Sequence, residues 1–384
     1  MDLLKLAEQF KETSLAGRYI TIQNIEPLLN KKVYQKGIAI IGSSVADRPI
    51  YSYKIGNGVT KVLMWSQMHG NESTTTKALF DFFNFIQSNN ELAVLFRAKF
   101  SFCFLPMLNP DGAALYTREN ANLIDLNRDA LILSQPESKI LNSVYFDFNP
   151  DYCFNLHDQR SIYGVGSSGK AAVLSFLAPS FNENRDVNST RNKAINIILA
   201  INSALSNYIS GHTGRFDDTF NINCVGDTFQ FLGTPTVLFE AGHFSVDYAR
   251  EYPRKLLFVS FLSALGHIIE NVLVSNKIEK YLLIPQNKVN FYDLIYNNAI
   301  YIDAGINKMI SFAIQFEELL IGNDIHFFGR IVAINGLENF FGHCVIDCKS
   351  KCYSNSSNKY PVVGEVANFN LDNVNVFDNG IKID

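Results

Sequence analysis

The strongest constraint on this chain is an alternation of short apolar runs, rich in β-branched and aromatic residues, with longer stretches in helical rhythm. KVLMW (Lys61 to Trp65) is followed by STTTKALFDFFNFIQS, in which Ala78, Leu79, Phe82, Phe83 and Ile86 recur at three-four spacing. Ser and Thr at the front of that stretch predict a locally capped helix start. KFSFCFLPML, DYCFNLH and TPTVLFEAG read as further strands, RNKAINIILAINSALSNYI and REYPRKLLFVSFLSALGHIIENVL as further helices. Strands alternating with helices predict an α/β fold, a mostly parallel sheet covered on both faces. Ligands of such sheets bind beyond the carboxyl ends of strands. Ahead of these units, MDLLKLAEQFKETSLAG predicts an amphipathic helix, and GIAIIGSSV and PIYSYKIG, separated by ADR, predict a hairpin.

At 384 residues, 47% hydrophobic and 18% charged, the composition is that of a globular protein of two domains. A net charge of -4 argues against nucleic acid or an anionic membrane as the main partner. No apolar run approaches the ~18 residues that a membrane span requires. The first residues lack the basic region and continuous apolar core of a signal peptide, so a cytoplasmic location is expected. From Tyr281 the pattern changes to short β-type runs separated by Asn, Gly and Asp, ending in the polar loop SKCYSNSSNKYP. The expected division is therefore a domain over 1–280 and a β-rich domain over 281–384.

Cys103, Cys153 and Cys224 stand among apolar neighbours and read as small buried hydrophobes. Cys344, Cys348 and Cys352, beside His343, have strand-like surroundings. Their spacing is not the two close pairs of a structural zinc site, so reduced thiols are expected, with metal binding as the alternative.

The polar residues that close the apolar runs carry the chemistry. His69 and Glu72 sit three apart at a strand-to-helix junction, and His157 closes DYCFNL. Two His and one Glu with an open position make a catalytic zinc ligand set; the bland alternative for His157 is a core histidine bonded to backbone. Glu240 ends TPTVLF, where a carboxylate is costly unless paired or used. It reads as a general base, or else as one half of a salt bridge. The irregular segment between holds Arg118, Asn127, Arg128 and Asp129. Guanidinium groups there suit a substrate carboxylate and a developing oxyanion.

HGNE, NPDG, TRENANLIDLNRD, NLH and LFEAG occur in the order seen in zinc carboxypeptidases related to pancreatic carboxypeptidase A, and the chain resembles that family, as a bacterial-type member, from about residue 35 to 270. The resemblance implies an α/β/α sandwich with a mixed eight-stranded sheet and one zinc ion. It implies that His69, Glu72 and His157 are the ligands, that Glu240 activates a water on the zinc, and that Arg118 stabilises the oxyanion. Asn127 and Arg128 would grip the terminal carboxylate of a peptide, from which one C-terminal amino acid is cleaved. Two departures stand out. No tyrosine lies in GRFDDTFNINCVGDTFQFLG, where the family carries its substrate-capping tyrosine; Phe216, Asp217, Asp218 and Phe220 occupy the region. The usual Asn-Arg-Asn reads Asn127-Arg128-Asp129. Asp227, in the stretch that shapes the family's side-chain pocket, allows a basic side chain. The alternative enzyme is a zinc-dependent deacylase of N-acyl amino acids resembling aspartoacylase and succinylglutamate desuccinylase, which share HGNE and DLNR and carry a C-terminal β domain. A pseudo-peptidase acting as a binding module would be marked by a missing ligand or base, and none is missing. The oligomeric state is left open.

Overall fold

The computed structural model describes residues 2–34, 36–270, 276–356 and 360–383. Its first nine strands are β1 (Ile38–Ser43), β2 (Pro49–Ile55), β3 (Thr60–Ser66), β4 (Phe100–Leu105), β5 (Tyr152–Asp158), β6 (Tyr163–Val165), β7 (Leu174–Leu177), β8 (Thr213–Arg215) and β9 (Thr236–Ala241). Among the described residues eight of them form one mixed sheet, in the order β1-β2-β4-β3-β5-β9-β7-β8. The expected hairpin is β1 and β2, antiparallel at one edge. The centre is parallel: β4 pairs with β3, β3 with β5, and β5 with β9. Antiparallel pairing returns between β9 and β7, and the last pair, β7 with β8, is parallel again.

The helices are α1 (Leu3–Gln9), α2 (Ile22–Leu29), α3 (Thr74–Gln87), α4 (Glu91–Lys99), α5 (Pro110–Leu115), α6 (Pro136–Phe148), α7 (Ser189–Ile209), α8 (Val225–Phe231) and α9 (Glu251–Glu270). Residues 271–273 of the predicted helix before Tyr281, and 357–359 of the predicted polar loop, lie outside the described residues. The continuous apolar strands are buried on both faces, as expected for a covered parallel sheet. Val62 and Met64 of β3 face a core shared with Leu79 and Phe82 of α3, Ile198 of α7 and Phe258 of α9. Leu63 and Trp65 face the opposite way, toward Leu141 and Tyr145 of α6 and Phe229 of α8. One strand thus feeds two cores, which makes the α/β/α sandwich.

Beyond a short helix at Ile278–Leu282, β10 (Asn287–Val289) pairs back onto β6. Then β11 (Phe291–Asp303), β12 (Ile306–Ile321), β13 (Asp324–Ile334) and β14 (Phe341–Asp347) form a sheet in the order β13-β12-β11-β14. Four short strands between Tyr353 and Ile383 make a further sheet against it. Tyr296, Phe312, Ile331, Phe369 and Phe377 give this region a core of its own, into which Cys348 is buried. All six cysteines are unpaired.

Candidate metal centre and cleft

β3, β5 and β9 are neighbours running in one direction, so their carboxyl ends open at the same edge. His157 lies directly beside Glu240 in the β5–β9 register, and Ser66, the last residue of β3, lies beside Leu156. The chain leaves β3 through a strained turn. Gln67 has φ 48, a left-handed conformation that a non-glycine residue holds only when its surroundings enforce it. Its side chain supplies the restraint, with Nε2 donating to Ile20 O and Gly70 O at 2.8 Å each. A Cβ on Gly70 would lie 1.9 Å from the carbonyl carbon of Gly112, so the HGNE and NPDG segments touch backbone to backbone. The NPDG segment, a turn signal in sequence, opens α5, with Asn109 Oδ1 accepting from Gly112 N at 2.8 Å. Asn109 Nδ2 also donates to Met68 O at 3.1 Å, tying that helix start to the HGNE turn.

The start of α3 differs from the expected local cap. Ser73 Oγ donates to Arg18 O at 2.6 Å, and the first helical amide, Thr74 N, is bonded by Asp158 Oδ2 at 3.0 Å. The cap comes from β5, far away in sequence, because Asp158 is carried to the helix by the sheet. Its neighbour His157 and Glu72, two residues before the helix start, are thereby fixed together.

His69, Glu72 and His157 converge. His69 Nδ1 lies 2.8 Å from Glu72 Oε1, His157 Nδ1 lies 2.8 Å from Glu72 Oε2, and the two Nδ1 atoms are 3.1 Å apart. All three residues are buried, and their ligand atoms form a group able to hold a metal ion. Ligands bonded to one ion at about 2.0–2.1 Å in a tetrahedral arrangement sit a little over ~3 Å from one another, so the donor set fits zinc. Although burial favours the neutral acid, the His69 and His157 imidazoles hold the Glu72 carboxyl well below its usual range. Asp125 is a functional residue that sequence reasoning passed over although it stands inside DLNRD. Its Oδ1 lies 3.0 Å from His69 Nε2, the carboxylate–histidine contact that fixes ring orientation in metal sites. The same oxygen accepts from Asn127 N at 2.8 Å, and Oδ2 accepts from Arg118 Nε at 3.0 Å.

Glu240 faces this triad from β9. Its Oε2 is buried with no hydrogen-bond partner, and no arginine forms an ion pair with it among the described residues. Burial pushes its carboxyl well above the ordinary range, and the negative Glu72 and Asp158 push it further. The two glutamates therefore have opposite proton affinities within one cleft, the pattern that separates acid and base roles.

The cleft is a cavity of about 560 Å³ lined by His69, Glu72, His157, Glu240, Arg118, Asn127 and Arg128, so every predicted site residue reaches it. Asn127 Oδ1 accepts from Val225 N at 3.0 Å, and Arg128 Nη1 lies 3.1 Å from Cys224 Sγ. Asp227 also lines it, nearly buried, its carboxyl pushed up to about 7 by desolvation. Of the residues standing where the capping tyrosine was expected, Phe216 and Asp217 line the cavity, whereas Asp218 pairs with Arg191 at 2.5 Å. A tyrosine is nonetheless present: Tyr163 of β6 lines the same cavity, its ring edge-on to Phe216 at 5.4 Å. No sequence signal marks it, because β6 is a three-residue strand held only by tertiary pairing.

Next to it, a smaller cavity of about 340 Å³ shares Glu72, Arg118 and Asp158 and is walled by Gln315, Phe316, Glu317 and Glu318 of β12. Arg18 holds that wall, Nη2 to Glu318 Oε2 at 3.2 Å, and Tyr116 donates its hydroxyl to the same carboxylate.

The zinc carboxypeptidase family model matches residues 35–159. Carboxypeptidase 2 of Trichophyton rubrum is 27% identical over 100 residues, covering 26% of this chain and 19% of that protein, so the chain spans about a fifth of the relative it matches. Among solved structures, a metallo-carboxypeptidase from Burkholderia cenocepacia superposes with a TM-score of 0.51 at 16% identity, over 65% of this chain and 69% of that one. The thrombin activatable fibrinolysis inhibitor superposes with a TM-score of 0.53 at 14% identity, over 70% and 81%. The superpositions establish a carboxypeptidase-like fold, and the match to the zinc carboxypeptidase family model is confined to residues 35–159. No helix among the described residues is long and apolar enough to cross a membrane.

Proposed function

We propose that the chain is a zinc-dependent carboxypeptidase that removes one C-terminal amino acid from a short peptide. What carries this reading is the convergence of His69 Nδ1, His157 Nδ1 and Glu72 on one point, with the unpartnered Glu240 carboxylate across the cleft. His69, Glu72 and His157 would hold a single zinc ion, which supplies Lewis-acid polarisation of the scissile carbonyl and acidifies water. Glu240 takes the proton of the attacking water and returns it to the departing amine; its high proton affinity suits the second half of that task. Arg118, anchored through Nε by Asp125, holds Nη1 beside the triad, 3.2 Å from His69 Nδ1 and 3.6 Å from Glu72 Oε1, where it would face the oxyanion. Asn127 and Arg128 bind the terminal carboxylate, and Arg128 can do so with two parallel hydrogen bonds. Asp227 favours a basic side chain in its ionised form. The Tyr163 phenol, pushed up by burial and by Glu240, stays protonated and donates to the substrate in place of the missing capping tyrosine.

We read residues 1–280 as the catalytic domain and 281–384 as an accessory domain whose β12 wall shortens the cleft, which favours short peptides. Six unpaired thiols fit a reducing compartment such as the cytoplasm. The β12 wall is also what an enzyme acting on single N-acyl amino acids would use. Zinc-loaded protein should be assayed on a panel of di- and tripeptides and a panel of N-acyl amino acids. Turnover of the peptides with release of the C-terminal residue is expected; turnover confined to the N-acyl panel replaces the peptidase by the deacylase.

A further inference from the structure

A second cluster of metal-ligating side chains lies outside the cleft. It consists of His243, in the turn after β9, with Asp293 of β11 and His343 of β14, and their ligand atoms all lie within 4.8 Å of one another. His243 and Asp293 are buried, and His343 is partly so. The two imidazole centroids are 4.4 Å apart.

The hydrogen bonds around the cluster select the state in which histidine binds metal. His243 Nε2 lies 2.5 Å from Ser245 O, and His343 Nε2 lies 2.8 Å from Ser161 O. A carbonyl only accepts, so each Nε2 carries the proton and each Nδ1 is left with a bare lone pair. A backbone carbonyl on the far nitrogen is the usual support of a metal-bound histidine, fixing both tautomer and ring angle. Burial, the other imidazole and Arg250 hold His243 far below the usual range, and burial lowers His343 to about 4, so both rings are neutral at pH 7. Asp293 is held just as firmly: Oδ2 accepts from Phe316 N at 2.7 Å and Oδ1 from Tyr248 Oη at 3.1 Å. Two neutral imidazoles packed ring to ring gain nothing electrostatically from each other. A cation between them would give each bare Nδ1 a partner and would sit against the carboxylate that Phe316, Tyr248 and Gln315 already hold in place.

We propose that His243, Asp293 and His343 form a second metal site, for a divalent transition ion of zinc's class, which staples the C-terminal sheet to the turn three residues beyond Glu240. The donor set is two nitrogens and one carboxylate oxygen, suited to such ions and poorly suited to calcium or magnesium. The ligands come from β11, β14 and the turn after β9, so the ion joins the C-terminal sheet to the eight-stranded one. It is independent of the cleft ligands and of the reaction carried out there.

The full chain, stripped with a chelator and dialysed against zinc, tests this by elemental analysis alongside thermal unfolding. Wild-type protein should hold two ions per chain, and the His69→Ala/His157→Ala double variant one. Zinc should still raise the Tm of that double variant. Adding Asp293→Asn or His343→Gln to it should abolish both the remaining ion and the Tm rise. A folded double variant that takes up no ion overturns the proposal, and so does a remaining ion that survives both added substitutions. A wild-type stoichiometry of one that persists in the double variant overturns the cleft site instead.

Discussion

In the eight-stranded sheet, β3, β5 and β9 run in the same direction, so His69, His157 and Glu240 leave from one edge. In the C-terminal sheet, β11, β12 and β13 alternate direction, so successive strand ends fall on opposite edges. Parallel neighbours gather chain-distant side chains at a point, whereas antiparallel neighbours make a surface. The first region accordingly gathers His69, Glu72 and His157, and the second offers β12 as a wall. The contrast extends to carboxylates. Glu72 is bonded by two imidazoles and is driven down, Glu240 has an unpartnered oxygen and is driven up, and Glu318 of the wall is paired with Arg18 and Tyr116.

The comparison breaks first at the cleft. His157→Ala should abolish zinc retention at the triad and activity with it, read by elemental analysis of the triad site. Glu240→Gln should leave the metal in place while lowering kcat by about 100- to 10,000-fold, the range of a positioned general base. Activity near wild type in Glu240→Gln protein would remove the mechanism.

Asp227 gives the next effect. Its carboxyl titrates near 7 in the folded chain against an ordinary 3.8. The folded state therefore keeps a proton that the unfolded state releases. Stability is highest below about 4 on this account and falls as pH rises to about 7, by ~4 kcal/mol in all. Asp227→Asn should flatten that slope in denaturant titrations at pH 5 and 8. Any preference of the wild type for a basic C-terminal residue should strengthen from pH 6 to 8, as the carboxylate forms; a preference that weakens over that window would show that Asp227 does not contact the substrate.

The wall sharpens the comparison from the other side. Glu318→Ala leaves the buried Arg18 guanidinium without its partner and should cost about 2 kcal/mol, less than for a fully buried pair because Glu318 is partly exposed. Rates on longer peptides should rise relative to dipeptides, and an unchanged length profile would mean that β12 does not limit the cleft. Tyr163→Phe is the smallest change. Losing one neutral hydrogen bond, about 1 kcal/mol, should raise KM severalfold with kcat nearly constant.

Much of this was legible in the chain itself. The alternation of apolar runs with helical stretches fixed the sheet, because strands buried on both faces must be continuously apolar. His157 and Glu240 stood out because each interrupts apolar sequence at a strand end, and His69 and Glu72 because they stand three apart at a strand-to-helix junction. Asp125 and Tyr163 did not, since a polar residue in a loop or a short strand has nothing to interrupt. Nor did the capping of α3, which sequence assigns to Ser73 and the fold assigns to Asp158.

By itself, then, the sequence determined the element order, the covered sheet and the four side chains at its carboxyl edge. Only the tertiary structure decided which strands are neighbours, and so that the imidazole nitrogens of residues 69 and 157 lie 3.1 Å apart, that β12 walls the cleft, and that His243 meets His343. Periodicity and residue type act along the chain and can be read from it. Strand order, register and domain docking depend on contacts between segments distant in the chain, 88 residues apart for His69 and His157, and those exist only once the cores have formed.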